Sequence, residues 1–171
     1  MNSINNSSKR TQLLEMALVI DSHPNWWRFP TEKVVEGFLG TDPLFIVGDQ
    51  PSTSQWNVNN RNRRGFYDTL AKIGAANAHL TDLYKRRGSS GELRRQIPDD
   101  LQEHVKFFRK EVELLNPTRV LALGDLAYQF LALLTPELTP KLKRVWHFSY
   151  AVRYSKLSEY ESQLRDAIGG A

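Results

Sequence analysis

The chain contains no cysteine. Disulfides, thiolate zinc sites and cysteine-ligated iron–sulfur clusters are therefore impossible. Histidine is sparse: His23, His79, His104 and His147 are the four present, and no two stand at the i, i+4 spacing of a helical zinc site. No metal and no cofactor is expected. Long hydrophobic runs are missing too. The longest apolar stretch, 120–134, is interrupted by Asp125 and Gln129, which excludes a membrane span there. There is no GxGxxG and no Walker loop, so the phosphate-cradling turns of dinucleotide and P-loop folds are absent. The first ten residues, MNSINNSSKR, lack an apolar core, so no secretory signal is expected. They read as a disordered tail, with 11–171 as a single domain and a cytoplasmic location.

What is present is ordinary in amount and uneven in placement. The 171 residues are 40% hydrophobic and 25% charged, enough for one domain with a real core. The net charge of +4 is modest. The cations cluster, however. Arg61, Arg63 and Arg64 form one group, Lys85, Arg86, Arg87, Arg94 and Arg95 a second, and Lys141, Lys143 and Arg144 a third, followed by Arg153 and Lys156. Each group alone reads as a solvated loop. Their combined meaning depends on whether the fold places them together.

Periodicity alternates helices with strands. Helices are expected over 12–20, 66–73, 99–115, 125–134 and 156–168. Strands are expected over 44–47, 78–81, 119–123 and 144–147. Strands separated by helices imply right-handed crossovers, hence an α/β three-layer sandwich with a four-stranded parallel sheet between helices. Ligands of such sheets bind at the carboxyl ends of the strands. Those ends carry Gly48-Asp49-Gln50-Pro51, Asp82 with Lys85, Arg86 and Arg87, Gly124-Asp125, and His147 with Phe148, Ser149, Tyr150 and Arg153. Two carboxylates, a histidine and most of the basic groups thus fall on one edge.

That combination suits cleavage of an N-glycosidic bond. An aspartate there can orient water or offset a developing sugar cation, and a histidine can donate to the anion on the departing base. Cations would hold phosphates, and Trp56, Phe66 or Phe148 could stack on a base. The plainer reading of the same residues is a turn at Gly48-Asp49, a helix cap at Asp82 and a hydrogen-bonded core histidine at His147.

Four ordered segments resemble the uracil-DNA glycosylase superfamily. FIVGDQPS (45–52) is similar to its first motif, a strand into Gly-x-x-Pro. HLTDLYK (79–85) is similar to its second strand, LLNPTRVLALGDLAYQFL (114–131) to its central strand and helix, and HFSYAVR (147–153) to its His-Pro-Ser-Tyr motif. The resemblance implies a DNA-repair hydrolase that removes a damaged or deaminated, uracil-like base flipped from DNA. It implies catalytic roles for Asp49 and His147, a base pocket of Gln50, Asp82, Trp56 and Phe66, and DNA contacts from Ser52, Arg61, Arg63, Arg64, Lys85, Arg86, Arg87, Ser149 and Arg153. The partner would be DNA, single- or double-stranded, with no membrane, and the protein a monomer. Asp82 stands where uracil-reading branches carry asparagine, and Phe148 where they carry proline. An ionised aspartate only accepts hydrogen bonds, so it would reject the uracil carbonyl unless protonated. The alternative is a non-catalytic nucleic-acid or nucleotide-binding protein of the same fold.

Overall fold

The structure is a computed structural model that describes residues 2–53, 56, 61–89 and 92–169, with the side chains of 2–5, 62 and 63 outside the described set. Four short strands form its centre: β1 (Leu44–Gly48), β2 (His79–Asp82), β3 (Arg119–Leu123) and β4 (Leu142–Val145). All pair in parallel, in the order β2-β1-β3-β4. Among the described residues seven α-helices accompany them: α1 (Asn2–Ser22), α2 (Arg61–Lys72), α3 (Glu92–Arg95), α4 (Leu101–Leu115), α5 (Asp125–Leu134), α6 (Phe148–Arg153) and α7 (Leu157–Gly169).

Alternation along the central strands builds the three layers. Phe45, Val47, Val120 and Ala122 face one side, packing with Leu13, Ala17 and Ile20 of α1, Val105 and Phe108 of α4, and Leu131 of α5. Ile46, Leu121 and Leu123 face the other, packing with Phe66 and Leu70 of α2, Ala151 of α6, and Tyr160 and Leu164 of α7. The inner strands carry near-continuous apolar runs because both of their faces are covered. The predicted α/β sandwich is the architecture observed.

Several boundaries shift. The first helix begins at Asn2, so it runs through the stretch expected as a disordered tail. Arg10 on that helix pairs with Glu36 at 2.8 Å, which ties the segment to the body. The second helix starts at Arg61, because the basic stretch 61–64 supplies its first turn instead of a loop. The fourth strand spans Leu142–Val145, two residues earlier than expected. Its pairing runs from Val120↔Leu142 to Leu123↔Val145, and Gly124 N–H donates to the Val145 carbonyl at 2.8 Å. As an edge strand it leaves Lys143 and Arg144 exposed, so it lacks the apolar run that marks the inner strands. His147, expected as the last residue of the fourth strand, therefore lies beyond it as the N-cap of α6.

Among the described residues no helix is long and apolar enough to cross a membrane.

Candidate functional site at the carboxyl edge of the sheet

A cavity of about 90 Å³ opens at the carboxyl ends of β1, β2 and β3. Its polar lining comes from Gln50, Ser52, Asp82, Arg87 and His147. Its apolar wall is Trp27, Phe29, Trp56 and Phe148, with Leu123 and Pro51. A few converging polar groups in an aromatic cleft, at the ligand-binding edge of a parallel sheet, is the usual form of a small-molecule site.

The aromatic wall is a connected cluster. Trp27 lies 4.8 Å from Phe29 and 5.5 Å from Trp56, ring centre to ring centre. Phe148 stacks on Phe66 at 4.5 Å with an interplanar angle of 14°. Phe66, expected as a base-binding residue, is fully buried and backs Phe148 instead of lining the cavity. Its place in the apolar stripe of α2 puts it in the core, and Phe148 presents the ring. Trp27 and Phe29 had no functional reading in the sequence, because they precede the first strand and belong to no motif. Trp27 is fixed there by a backbone hydrogen bond to the Lys85 carbonyl at 2.9 Å.

His147 has a defined tautomer. Its Nδ1 accepts from the Ser149 backbone N–H at 3.2 Å and lies 2.7 Å from Ser149 Oγ. The proton is therefore on Nε2, which is left to donate. Burial holds the ring neutral by lowering its pKa to about 4. Ser149 serves this histidine through both its amide and its hydroxyl. Gly124 supports the same corner with φ +91°, ψ 175°, a conformation reserved for glycine.

Asp82 closes β2 and is 5% exposed. Burial raises its pKa to about 8; Lys85 opposes the rise, while the charges of Asp49 and Glu111 add to it. Asp49 follows β1 and is half-buried. Burial pushes its carboxyl up, against the pull of its own amide, the amide of Gln50 and the Arg94 charge. Asp49 is not part of the cavity lining, although Gly48 and Gln50 on either side of it are. Gln50 donates to the Arg86 carbonyl at 3.2 Å, which ties the first loop to the second.

The basic residues separate into different roles. Lys85 is 1% exposed and is not available to DNA. Its ammonium pairs with Glu111 Oε1 at 2.8 Å and donates to Thr81 Oγ1 at 2.6 Å and to the Asp82 carbonyl at 2.5 Å. Glu111 also lies 3.1 Å from His79 Nε2. This buried cluster is a structural partner for the end of β2. Arg87 lines the cavity, donates to the Ser52 carbonyl at 3.2 Å and lies over the Trp27 ring at 5.5 Å. Arg86 pairs with Asp100 at 3.5 Å and covers the Tyr84 ring. Arg61 and Arg64 are exposed and line a separate shallow groove with Lys72 and Glu161. Arg153 is exposed on α6. Arg144 pairs with Asp125 at 2.5 Å. The side chain of Arg63 lies outside the described residues. Among the described residues no three acidic or histidine side chains are grouped to hold a metal ion.

Comparison of the chain with protein-family models and with curated proteins finds no match.

Proposed function

We propose that this cavity takes a nucleobase turned out of DNA, and that the protein is a DNA glycosylase hydrolysing the N-glycosidic bond of a uracil-like base. The observation that carries the reading is the pairing, in one cavity, of an aromatic wall with a neutral His147 whose Nε2–H is left to donate. A flat heteroaromatic ring fits between such walls, and base–aromatic stacking contributes about 1–3 kcal/mol per base. Departure of the base leaves negative charge on its edge, and a preorganised neutral imidazole N–H stabilises that charge without giving up its proton.

The sugar stays at the mouth when the base enters. A carboxylate that offsets oxocarbenium charge or holds the attacking water belongs at the lip and not in the base cavity. We assign this role to Asp49, which follows β1 between the lining residues Gly48 and Gln50 and is not itself part of the lining. In this reading the C1′–N bond breaks with its electron pair leaving on the base, water adds to C1′, and the water's proton passes to Asp49.

The test is a screen of single- and double-stranded oligonucleotides carrying uracil, hypoxanthine, xanthine or oxidised pyrimidines, read as abasic-site formation. Abasic sites from at least one of them are expected. A second reading is a nucleotide-binding protein without catalysis, favoured by the burial of Asp82, which closes the cavity with a group suited to binding rather than to bond cleavage. Tight binding of an oligonucleotide with no abasic product from any substrate would select it.

A further inference from the structure

Asp82 is a carboxyl group with no donor to meet it. Its Oδ2 is buried and carries no hydrogen bond. Its Oδ1 lies so close over Gly48 that a β-carbon at position 48 would collide with it. Glycine is what admits the carboxyl to the end of the sheet. The nearby ammonium of Lys85 makes no hydrogen bond to the carboxyl group: it donates to Thr81 and to the Asp82 main-chain carbonyl and forms its ion pair with Glu111. The other charged groups around it do not compensate. Asp49 from the loop after β1 and Glu111 from α4 repel an ionised form. Arg87, which lines the same cavity, donates to the Ser52 carbonyl, and His147 across the cavity is neutral. The Asp82 pKa of about 8 agrees with this arrangement.

We infer that Asp82 reads the edge of a pyrimidine base as a neutral carboxylic acid, its O–H donating to an acceptor on the ring edge while its second oxygen accepts from the adjacent N–H. A carboxylic acid presents one donor beside one acceptor, as a side-chain amide does. It matches O4 and N3–H of uracil, and equally N3 and the amino group of cytosine. A carboxylate would match only two adjacent donors, as on the N1/N2 edge of guanine. The asparagine found in uracil-reading relatives of the resembled family is thus replaced by a group with the same two-point pattern and an added pH limit. The inference rests on the base-binding reading of the cavity.

The experiment is direct binding of free uracil and of free cytosine to the whole protein by calorimetry or NMR titration, at about pH 6.5 and about pH 9, where a group with a pKa of about 8 is mostly neutral and about one-tenth neutral respectively. Wild type should bind at least one of the two at the lower pH and lose roughly 10-fold in affinity at the higher. Cytosine does not itself titrate in this window, so it controls for ionisation of the ligand. Asp82→Asn, which keeps the shape of the neutral acid, should bind uracil with no such loss. A wild-type affinity that is flat with pH, an equal loss in Asp82→Asn, or no binding of either base would each overturn the inference. The outcome is separable from the glycosylase reading. Base excision with pH-independent binding leaves the enzyme and removes the neutral acid, whereas pH-dependent binding without excision does the reverse.

Discussion

At the scale of single residues the site depends on two adjacent positions at the end of β1, one that makes room for a polar group and one proposed to supply chemistry. Gly48 is one. A methyl group there would collide with Asp82 Oδ1, and the two residues end neighbouring, buried strands that cannot move apart without breaking the β1–β2 register. Gly48→Ala should therefore lower the thermal midpoint and reduce base binding more than Asp82→Asn does; an unchanged midpoint with full binding would show that the end of the sheet yields freely. Asp49 is the other. Asp49→Asn preserves size, so the fold should survive while single-turnover base release falls about 10²- to 10³-fold, or roughly 3–4 kcal/mol of transition-state stabilisation. Full release by the folded variant would reduce Asp49 to a turn residue. The sequence made Asp49, Asp82 and His147 visible because each follows an apolar strand. It did not show which of them line the cavity, since that depends on where the loop after β1 turns.

At the scale of elements the end of β2 is held from beneath by α4. Lys85 and His79 meet Glu111 in a space closed to water, and the Lys85 backbone N–H donates to His104 Nδ1 at 3.1 Å. Such a cluster is stable only with its partners in place, because a lone buried charge keeps its desolvation cost. Lys85→Met should destabilise the protein by about 3–5 kcal/mol in chemical denaturation. It should leave the salt dependence of DNA binding unchanged, since the ammonium is not on the surface. A stable variant with a weaker salt dependence would return Lys85 to the DNA-contact role the sequence suggests. That role was legible from the run Lys85-Arg86-Arg87; its error was not. Glu111 lies 26 positions away on the inner face of α4, and a helical carboxylate reads as solvated until the packing shows which face it occupies.

At the scale of the whole molecule two predictions concern charge. The exposed cations Arg61 and Arg64 lie in the first turn of α2, and Arg153 ends α6, the helix capped by His147. If about three phosphates are neutralised, the log–log slope of duplex affinity against salt should be near roughly −3, and affinity that is flat with salt would refute a phosphate-tracking surface. The second concerns stability against pH. The folded Asp82 acid stays protonated to about 8, whereas an unfolded aspartate ionises near about 3.9. Stability is greatest on this account below about 4 and is lost as pH rises to about 8. His147 and His104, both lowered to about 4 by burial, act in the opposite sense and lose stability as pH falls from about 6.5 to about 4. Between about 6.5 and 8 the aspartate dominates. Wild type should therefore melt at lower temperature as pH rises through that window, and Asp82→Asn should melt at a nearly constant temperature; parallel curves for the two proteins would show that Asp82 is ionised throughout.

The alternation of apolar strands and amphipathic helices, with glycine or proline at their junctions, by itself determined the parallel α/β sandwich and the edge at which the cavity opens. These signals are local: a strand buried on both faces must be apolar along its length, and a chain reversal must have a residue that permits it. Only the tertiary structure decided that Lys85 is interior, that Phe66 gives way to Phe148 in the cavity wall, that β4 ends at Val145, and that Trp27 and Phe29 close the pocket. The physical reason is the same for all four. The partner of a buried charge, the ring that faces a cavity and the register of a charged edge strand are set by residues distant in sequence, and no period or spacing along the chain records which of them will meet.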